Sequence, residues 1–177
     1  MSHPHPAASA PCGHPRTRGL TLIELMIALA IGVVLMSLAV PSFSTYLQRN
    51  RLKAVALGLE QDLREARFEA VRRGQPVHLN FVAGADWCYA LTTQPGCDCR
   101  TAAPCRLKAV RSVDVRGVQL AQAQDARFDP ADGTPDAAHA GAVWTVPSGE
   151  RVRVAVGPLG RPQVCVLEGT LAPLPGC

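Results

Sequence analysis

One long and mostly apolar stretch lies near the N-terminus of the chain. It runs from Leu20 to Val40, and its residues outside the apolar class are Thr21, Glu24, Gly32 and Ser37. Because a helix rises by ~1.5 Å per residue, a stretch of this length can cross a hydrocarbon layer of ~30 Å. The pattern therefore predicts a membrane-spanning helix over residues 20–40.

A helical period continues through residues 41–74. Its apolar positions recur at spacings of three and four and form one stripe: Leu52, Val55, Leu59, Leu63, Ala66 and Ala70. Charged pairs four residues apart, such as Glu60 with Arg64, are expected on the solvent-exposed face of the helix. Gly74 and Pro76 are typical of a helix end. We expect an amphipathic continuation of the first helix that packs on a soluble domain.

From residue 75 the apolar period changes to two, which is typical of half-buried strands. The segments that show it or carry short apolar runs are Val77–Phe81, Trp87–Leu91, Val110–Val113, Val118–Leu120, Ala142–Val146, Val152–Val156 and Gln163–Leu167. Residues 92–106 and 129–141 are rich in loop-forming residues. We therefore expect an antiparallel β domain over residues 75–177, with one face packed on the helix.

Length and charge limit the functional classes. A chain of 177 residues allows a membrane segment and one soluble domain of ordinary size. Residues 1–19 are rich in Pro, His and Ala and contain Arg16 and Arg18 but no acid, so their removal lowers the formal net charge from +4 to +2. A charge this small excludes a polycation, and any contact with nucleic acid would need a local basic patch.

The cysteines predict disulfides. Cys12 lies in the N-terminal segment, and six others follow the apolar stretch: Cys88, Cys97, Cys99, Cys105, Cys165 and Cys177. An even number beyond a membrane segment is typical of an oxidising compartment. We expect one or two bridges within residues 88–105 and one between Cys165 and Cys177. Reduced thiols and a zinc site in the first cluster are alternatives, but the C-x-C spacing differs from the usual C-x2-C, so we expect no metal.

The segment Gly19–Leu25, GLTLIEL, resembles the class III (prepilin) signal of type IV pilins and type II secretion pseudopilins. The resemblance implies that a prepilin peptidase cuts after Gly19 and methylates the new N-terminus at Leu20. Glu24 would then be the fifth mature residue. An intramembrane carboxylate is costly unless it is paired, so we expect Glu24 to meet the free amine of Leu20 in a neighbouring subunit and to serve assembly. The alternative is an incidental acid near the membrane interface.

The rest of the chain resembles the GspH/FimT branch of minor pilins and pseudopilins. The resemblance rests on residues 59–74, LEQDLREARFEAVRRG, on Phe128-Asp129-Pro130, and on Gly160-Arg161. It implies an α+β, type IV pilin-like fold, in which a long N-terminal transmembrane and amphipathic helix packs on an antiparallel β-sheet. The implied domains are a removed cytoplasmic leader (1–19), a transmembrane helix (20–40), its amphipathic continuation (41–74) and a periplasmic β domain (75–177).

Three arginines near the C-terminus suggest an alternative function. In FimT-type minor pilins a Gly-Arg-x-Arg element is linked to DNA binding during natural transformation. Here the corresponding residues are Gly160-Arg161-Pro162-Gln163, so the second arginine is missing. Arg151 and Arg153 alternate with valines along a predicted strand, which is also typical of solvated side chains on an exposed face. Arg151, Arg153 and Arg161 are therefore candidate DNA contacts or simply surface charges.

The sequence favours a structural subunit over an enzyme. It contains none of the catalytic motifs G-x-S-x-G and H-E-x-x-H and no phosphate-binding glycine loop, and we expect no cofactor. Basic residues before the apolar stretch favour a cytoplasmic N-terminus, in a single-pass protein of the inner membrane with a periplasmic C-terminal domain. The expected partners are other pilins or pseudopilins, the prepilin peptidase, the inner-membrane assembly platform and membrane lipid. The expected function is a minor pseudopilin of type II secretion, or alternatively a DNA-binding minor pilin of a type IV pilus.

Overall fold

The computed structural model describes residues 21–177, apart from the side chains of Leu38 and Pro41. It contains one α-helix, α1 (Leu22–Arg73), followed by eight strands and one short 3-10 helix. The chain divides into two compact units, one that ends at Val40 and one from Pro41 to Cys177. The single long helix followed by antiparallel sheets agrees with the expected α+β, type IV pilin-like architecture.

Helix α1 ends where its sequence requires. Gly74 has φ of +62°, a left-handed conformation that glycine adopts without steric cost. The N–H of Gln75 donates to the carbonyl of Ala70, and that of Gly74 donates to Val71. These two bonds satisfy carbonyls that would otherwise lack partners at the helix end.

The strands form two separate antiparallel sheets. Their bounds are β1 (Val77–Val82), β2 (Cys88–Thr92), β3 (Arg106–Arg111), β4 (Gln119–Gln124), β5 (Ala126–Phe128), β6 (Gly141–Thr145), β7 (Arg151–Val156) and β8 (Pro162–Glu168). The first sheet has the order β3-β2-β1-β5, and the second has the order β4-β6-β7-β8. All strand pairs in both sheets are antiparallel.

Three details of the β domain differ from the strand predictions. Strand β5 was not predicted, because three residues are too few to show a period of two. The strand predicted at Val110–Val113 lies earlier in the chain, at Arg106–Arg111, since residues Ser112–Asp114 form a 3-10 turn. Strand β4 runs on to Gln124, although its Gln-rich sequence lacks an apolar face. A single residue, Asp125, separates β4 from β5, so the chain changes sheets at this point.

One hydrophobic core joins the second half of α1 to both sheets. The helix contributes the predicted apolar stripe, all of whose residues are buried: Leu52, Val55, Leu59, Leu63, Ala66 and Ala70. Between the sheets, Trp87 and Trp144 pack with ring centroids 4.5 Å apart. The indole N–H of Trp87 donates to the carbonyl of Val118, which satisfies that polar group inside the core.

Candidate functional site

Glu24 lies in the first turn of α1. Its backbone N–H donates to the hydroxyl of Thr21, 3.3 Å away, and the N–H of Leu25 donates to the Thr21 carbonyl. Thr21 thus caps the helix, as threonine commonly does. A carboxylate in the first turn is stabilised by the partial positive charge of the helix N-terminus, and Glu24 is exposed within its unit.

The apolar residues that follow Glu24 are also exposed. The large side chains from Leu22 to Val40 that can be measured are between 53% and 78% exposed. Helix α1 contains a window long and apolar enough to cross a membrane, and none of that window is buried against other parts of the chain. A core helix of a soluble protein is mostly buried, so this surface fits contact with lipid or with other helices.

Several predicted residues lie outside the described part of the chain. These are the leader, residues 1–19, with the proposed cleavage residue Gly19, and the proposed mature N-terminus Leu20. The contact between Glu24 and an amine at Leu20 therefore stays a prediction.

A buried carboxylate ties α1 to the first sheet. Asp62 is 1% exposed, and its two oxygens accept hydrogen bonds from the Tyr89 hydroxyl (2.9 Å) and the Lys108 ammonium (2.5 Å). The bond with Asp62 raises the pKa of Lys108 above its usual value. Burial raises the pKa of Tyr89 far above its usual value, and the Asp62 carboxylate adds to this effect. Both donors therefore keep their protons across the physiological range.

A second buried carboxylate ties α1 to the second sheet. Glu150 is 3% exposed and accepts hydrogen bonds from Arg49 of the helix and from Ser148, both at 2.5 Å. Burial acts to raise the pKa of Glu150, but the hydrogen bonds from Ser148 and Arg49 together lower it below its usual value. The helix is thus attached to each side of the β domain by one buried carboxylate, and these contacts favour one orientation of the helix.

Sequence reasoning missed both contacts. Asp62 lies beside the apolar stripe, between Leu59 and Ala66. This position is the one feature of the sequence that indicates burial of Asp62. Its partner Lys108 is 46 residues away, and Glu150 is 101 residues from Arg49. Pairs at such separations depend on how the sheets pack, which no local pattern records.

The six cysteines that follow the apolar stretch form three disulfides. The pairs are Cys88–Cys99, Cys97–Cys105 and Cys165–Cys177, so the expectation of disulfides is confirmed. Cys88 and Cys99 also lie close to Asp98, with ligand atoms within 4.8 Å of one another. Because these two sulfurs are bonded to each other, they offer no thiolate to zinc.

Arg151 and Arg153 share the outer face of β7, whereas Arg161 lies elsewhere. Arg151 pairs with Glu168 at 2.8 Å, and Arg153 lines a shallow depression on the second sheet beside Gln122, Gln124 and His139. Arg161 lies in another cleft, together with Arg64 and Arg67 of α1. The structure therefore places Arg161 beside two helix arginines that the sequence analysis did not select.

Two family models match the chain. The model described as "Type II transport protein GspH" matches residues 56–160, which is more than half of the chain. The model described as "Prokaryotic N-terminal methylation motif" matches residues 14–40, which include Gly19, Leu20 and Glu24. No match was found among curated proteins or among solved structures.

Proposed function

The chain belongs to the family of the type II transport protein GspH, and on this premise we propose that it is a minor pseudopilin that supports type II protein secretion. In this proposal α1 first anchors the subunit in the inner membrane and then enters a periplasmic pseudopilus among the helices of other subunits. Family membership implies contacts with other pilins or pseudopilins and processing by a prepilin peptidase. The family is structural, and we propose no enzymatic activity for this chain.

The exposed apolar surface of the first unit supports the assembly role. A helix of this composition is stable in lipid, and it is equally stable among other apolar helices. The single acid of that surface, Glu24, is costly in hydrocarbon as a charge. The cost falls if Glu24 pairs with the free amine that cleavage after Gly19 creates at Leu20 of a neighbouring subunit.

The proposed location follows from the same segment. Arg16 and Arg18 precede the apolar stretch, and cytoplasmic flanks of membrane helices carry an excess of such residues. The N-terminus would then be cytoplasmic, and the β domain would be periplasmic. That compartment is oxidising, which agrees with the three disulfides. Membrane lipid and the inner-membrane assembly platform are the further partners that we propose.

The substitution Glu24→Val tests this function. We expect the variant to insert in the membrane and to be missing from the filament, because it lacks the charge that pairs with the amine. The measurement is the amount of full-length chain in the membrane and in the sheared filament fraction. The control Ser37→Val removes a polar group from the same segment, one whose hydroxyl bonds only to its own helix at Val34, and it should assemble normally. Incorporation of Glu24→Val at the wild-type level would contradict the proposal.

One observation favours a second candidate function, DNA binding by a minor pilin of a type IV pilus. Arg64, Arg67 and Arg161 line one cleft. Arg64 is paired with Glu60 at 2.5 Å, so the arginines of this cleft that we propose for phosphate contact are Arg67 and Arg161. Binding of duplex DNA should then weaken steeply with salt, and Arg161→Ala should reduce both the affinity and the salt slope. Arg151→Ala is the control, because Arg151 is already paired with Glu168. Salt-independent binding, or equal losses in the two variants, would rule this function out.

A further inference from the structure

The two sheets have four edge strands: β3 and β5 in the first sheet, and β4 and β8 in the second. An edge strand presents unpaired backbone N–H and C=O groups, so it is a template for pairing with another chain. Natural proteins protect such edges with charges, with proline, with bulges or by covering them. The four edges of this protein are not protected equally.

Hydrogen bonds within the chain close one edge completely, at β5, and a second edge in part, at β8. At β5 the outward-facing residue is Arg127, and its N–H and carbonyl are both bonded to Asp136, each at 2.9 Å. At β8 two residues face outward, Val164 and Val166. Within residues 21–177 Val164 makes no such bond, and the edge there is protected by the nearby Pro162, whereas Val166 is bonded to the C-terminal tail. The N–H of Val166 donates to Pro175, and its carbonyl accepts from Cys177, at the end of a tail held by the Cys165–Cys177 disulfide.

The third edge, β3, is protected by charge. Its sequence, RLKAVR, contains three cations in six residues. Lys108 points inward to Asp62, and Arg106 bonds to the carbonyls of Cys99 and Thr101 in the adjacent disulfide-linked loop. Cations on an edge strand oppose pairing with another strand.

The fourth edge, β4, is open. Between β6 and β7, the N–H of Val156 donates to Ala140 and the N–H of Val146 donates to Glu150. In an antiparallel pair every second residue of a strand is bonded to the same neighbour. Ala142 and Trp144, which lie between Ala140 and Val146 at this spacing, therefore direct their N–H and C=O groups to β7. On β4 the residues opposite Ala142 and Trp144 are Ala123 and Leu120. These two residues therefore direct their N–H and C=O groups away from β6, and no hydrogen bond within residues 21–177 uses them.

The composition of β4 also suits pairing with another chain. Its sequence, QLAQAQ, contains no charge and no proline, and five of its six residues are exposed. A bulge at Ala121 is its one protective device. The Ala123 side chain lies on the same face of the sheet as Ala142, which is buried in the core, yet Ala123 is exposed. A further strand beside β4 would cover it.

A second copy of this chain is a poor occupant for the open edge. Antiparallel pairing of β4 with another β4 would relate the copies by a two-fold axis perpendicular to the sheet. The segments Leu52–Ala70 that pack on the two β domains would then run in opposite directions, whereas in the proposed filament the helices of all subunits run the same way. The other three edges of a second copy are protected, as described above.

We propose that β4 accepts an extended segment of a different pilin-like subunit, which pairs with Leu120 and Ala123 as a fifth strand of the second sheet. We expect the part of this segment that pairs with β4 to be uncharged, because β4 itself contains no charged residue. Arg116 precedes β4, and Arg153 lies beside Gln122 and Gln124, so carboxylates at the ends of the segment complement these cations. Backbone pairing of this kind is a known mode of peptide recognition. The inference rests on the proposed function, since it names the contact that a neighbouring subunit makes.

Two proline variants of the full-length chain test the edge in cells that assemble the filament. Ala123→Pro removes an N–H that the fold does not use, and proline is tolerated at edges where the N–H faces solvent. Ala109→Pro is the matched control on β3. The N–H of Ser112 donates to the carbonyl of Trp87, and bonded pairs alternate along β2 and β3. The pair of Ala109 with Ala90 is therefore not bonded, and the backbone groups of Ala109 face outward. We expect the amount of Ala123→Pro in the filament fraction, relative to its amount in the membrane, to fall about tenfold, because a carbonyl of the added strand loses its hydrogen-bond donor. The amount of Ala109→Pro in the filament should be unchanged.

Hydrogen exchange on the wild-type chain tests the same contact without any substitution. The amides of Leu120 and Ala123 should exchange rapidly in the membrane-stored subunit and become protected in the sheared filament. Rapid exchange in both states, or equal assembly of the two proline variants, would overturn the inference. Absence of the wild-type chain from the filament would overturn the proposed function and this inference with it.

A photo-crosslinking residue at Ala121 identifies the occupant. A crosslink to another subunit with a prepilin signal, lost in Ala123→Pro, supports the proposal. A crosslink to a second copy of this chain would overturn our choice of partner.

Discussion

At the scale of single residues, two buried carboxylates position the helix on the β domain. Asp62 belongs to the helix and accepts hydrogen bonds from the first sheet, whereas Glu150 lies in the turn between β6 and β7 and accepts one from the helix. Each carboxylate is almost fully buried, while its cationic partner is about half exposed. Burial of an unpaired carboxylate is costly, so these contacts disfavour any packing of the helix that would break them.

The substitution Asp62→Ala tests this account. It leaves the Tyr89 hydroxyl without an acceptor in the core, and we expect the free energy of unfolding to fall by about 2 kcal/mol. The ion pair with Lys108 adds little to this figure, because the ammonium can turn to solvent. Urea unfolding of the full-length chain in detergent, followed by tryptophan fluorescence, measures the loss.

Glu65→Ala is the control for Asp62→Ala. Glu65 lies 3.8 Å from the same lysine, but its side chain is 49% exposed, so its removal should change the stability by less than about 0.5 kcal/mol. Equal losses in the two variants would show that burial of Asp62 does not matter.

At the scale of elements, the C-terminal tail acts as a cover for strand β8. The Cys165–Cys177 disulfide holds the tail beside the strand, and the tail then satisfies both backbone groups of Val166. Sequence separation between the two cysteines is 12 residues, so the bridge closes a short loop. The predicted pairing of these cysteines therefore has a purpose that the sequence did not reveal, which is protection of a sheet edge.

Replacing both Cys165 and Cys177 by serine tests this role. We expect the free energy of unfolding to fall by about 2 to 3 kcal/mol, because a loop of this size loses entropy on closure in the unfolded chain. The amide of Val166 should exchange faster in the variant, while that of Val154, in the centre of the sheet, should keep its relative protection. Unchanged exchange at Val166 would show that the tail stays in place without the bridge.

At the scale of the whole molecule, the two units differ in where their apolar side chains go. The unit from Pro41 to Cys177 buries them in a core between one helix and two sheets. The unit that ends at Val40 leaves them exposed. An exposed apolar surface of this size is typical of a segment that contacts lipid or other helices. The apolar composition of the first unit agrees with membership of a pilin-like family.

Local patterns of the sequence determined the elements of this protein. The apolar stretch with Glu24, the helical stripe from Leu52 to Ala70 and the stop at Gly74 depend on residues close together in the chain, where period and backbone preference act directly. The same holds for the strands with alternating valines, such as β7. The presence of disulfides followed from the number of cysteines and the membrane segment.

Only the tertiary structure decided how these elements meet. The division of the strands into two sheets depends on the change of sheet at Asp125, whose carboxylate accepts the N–H of Phe81 from 44 residues away. The burial of Asp62 and Glu150, the neighbours of Arg161 and the open edge of β4 likewise depend on contacts between distant segments. Such contacts arise from the packing of whole sheets, and the composition of any one segment is compatible with several of them.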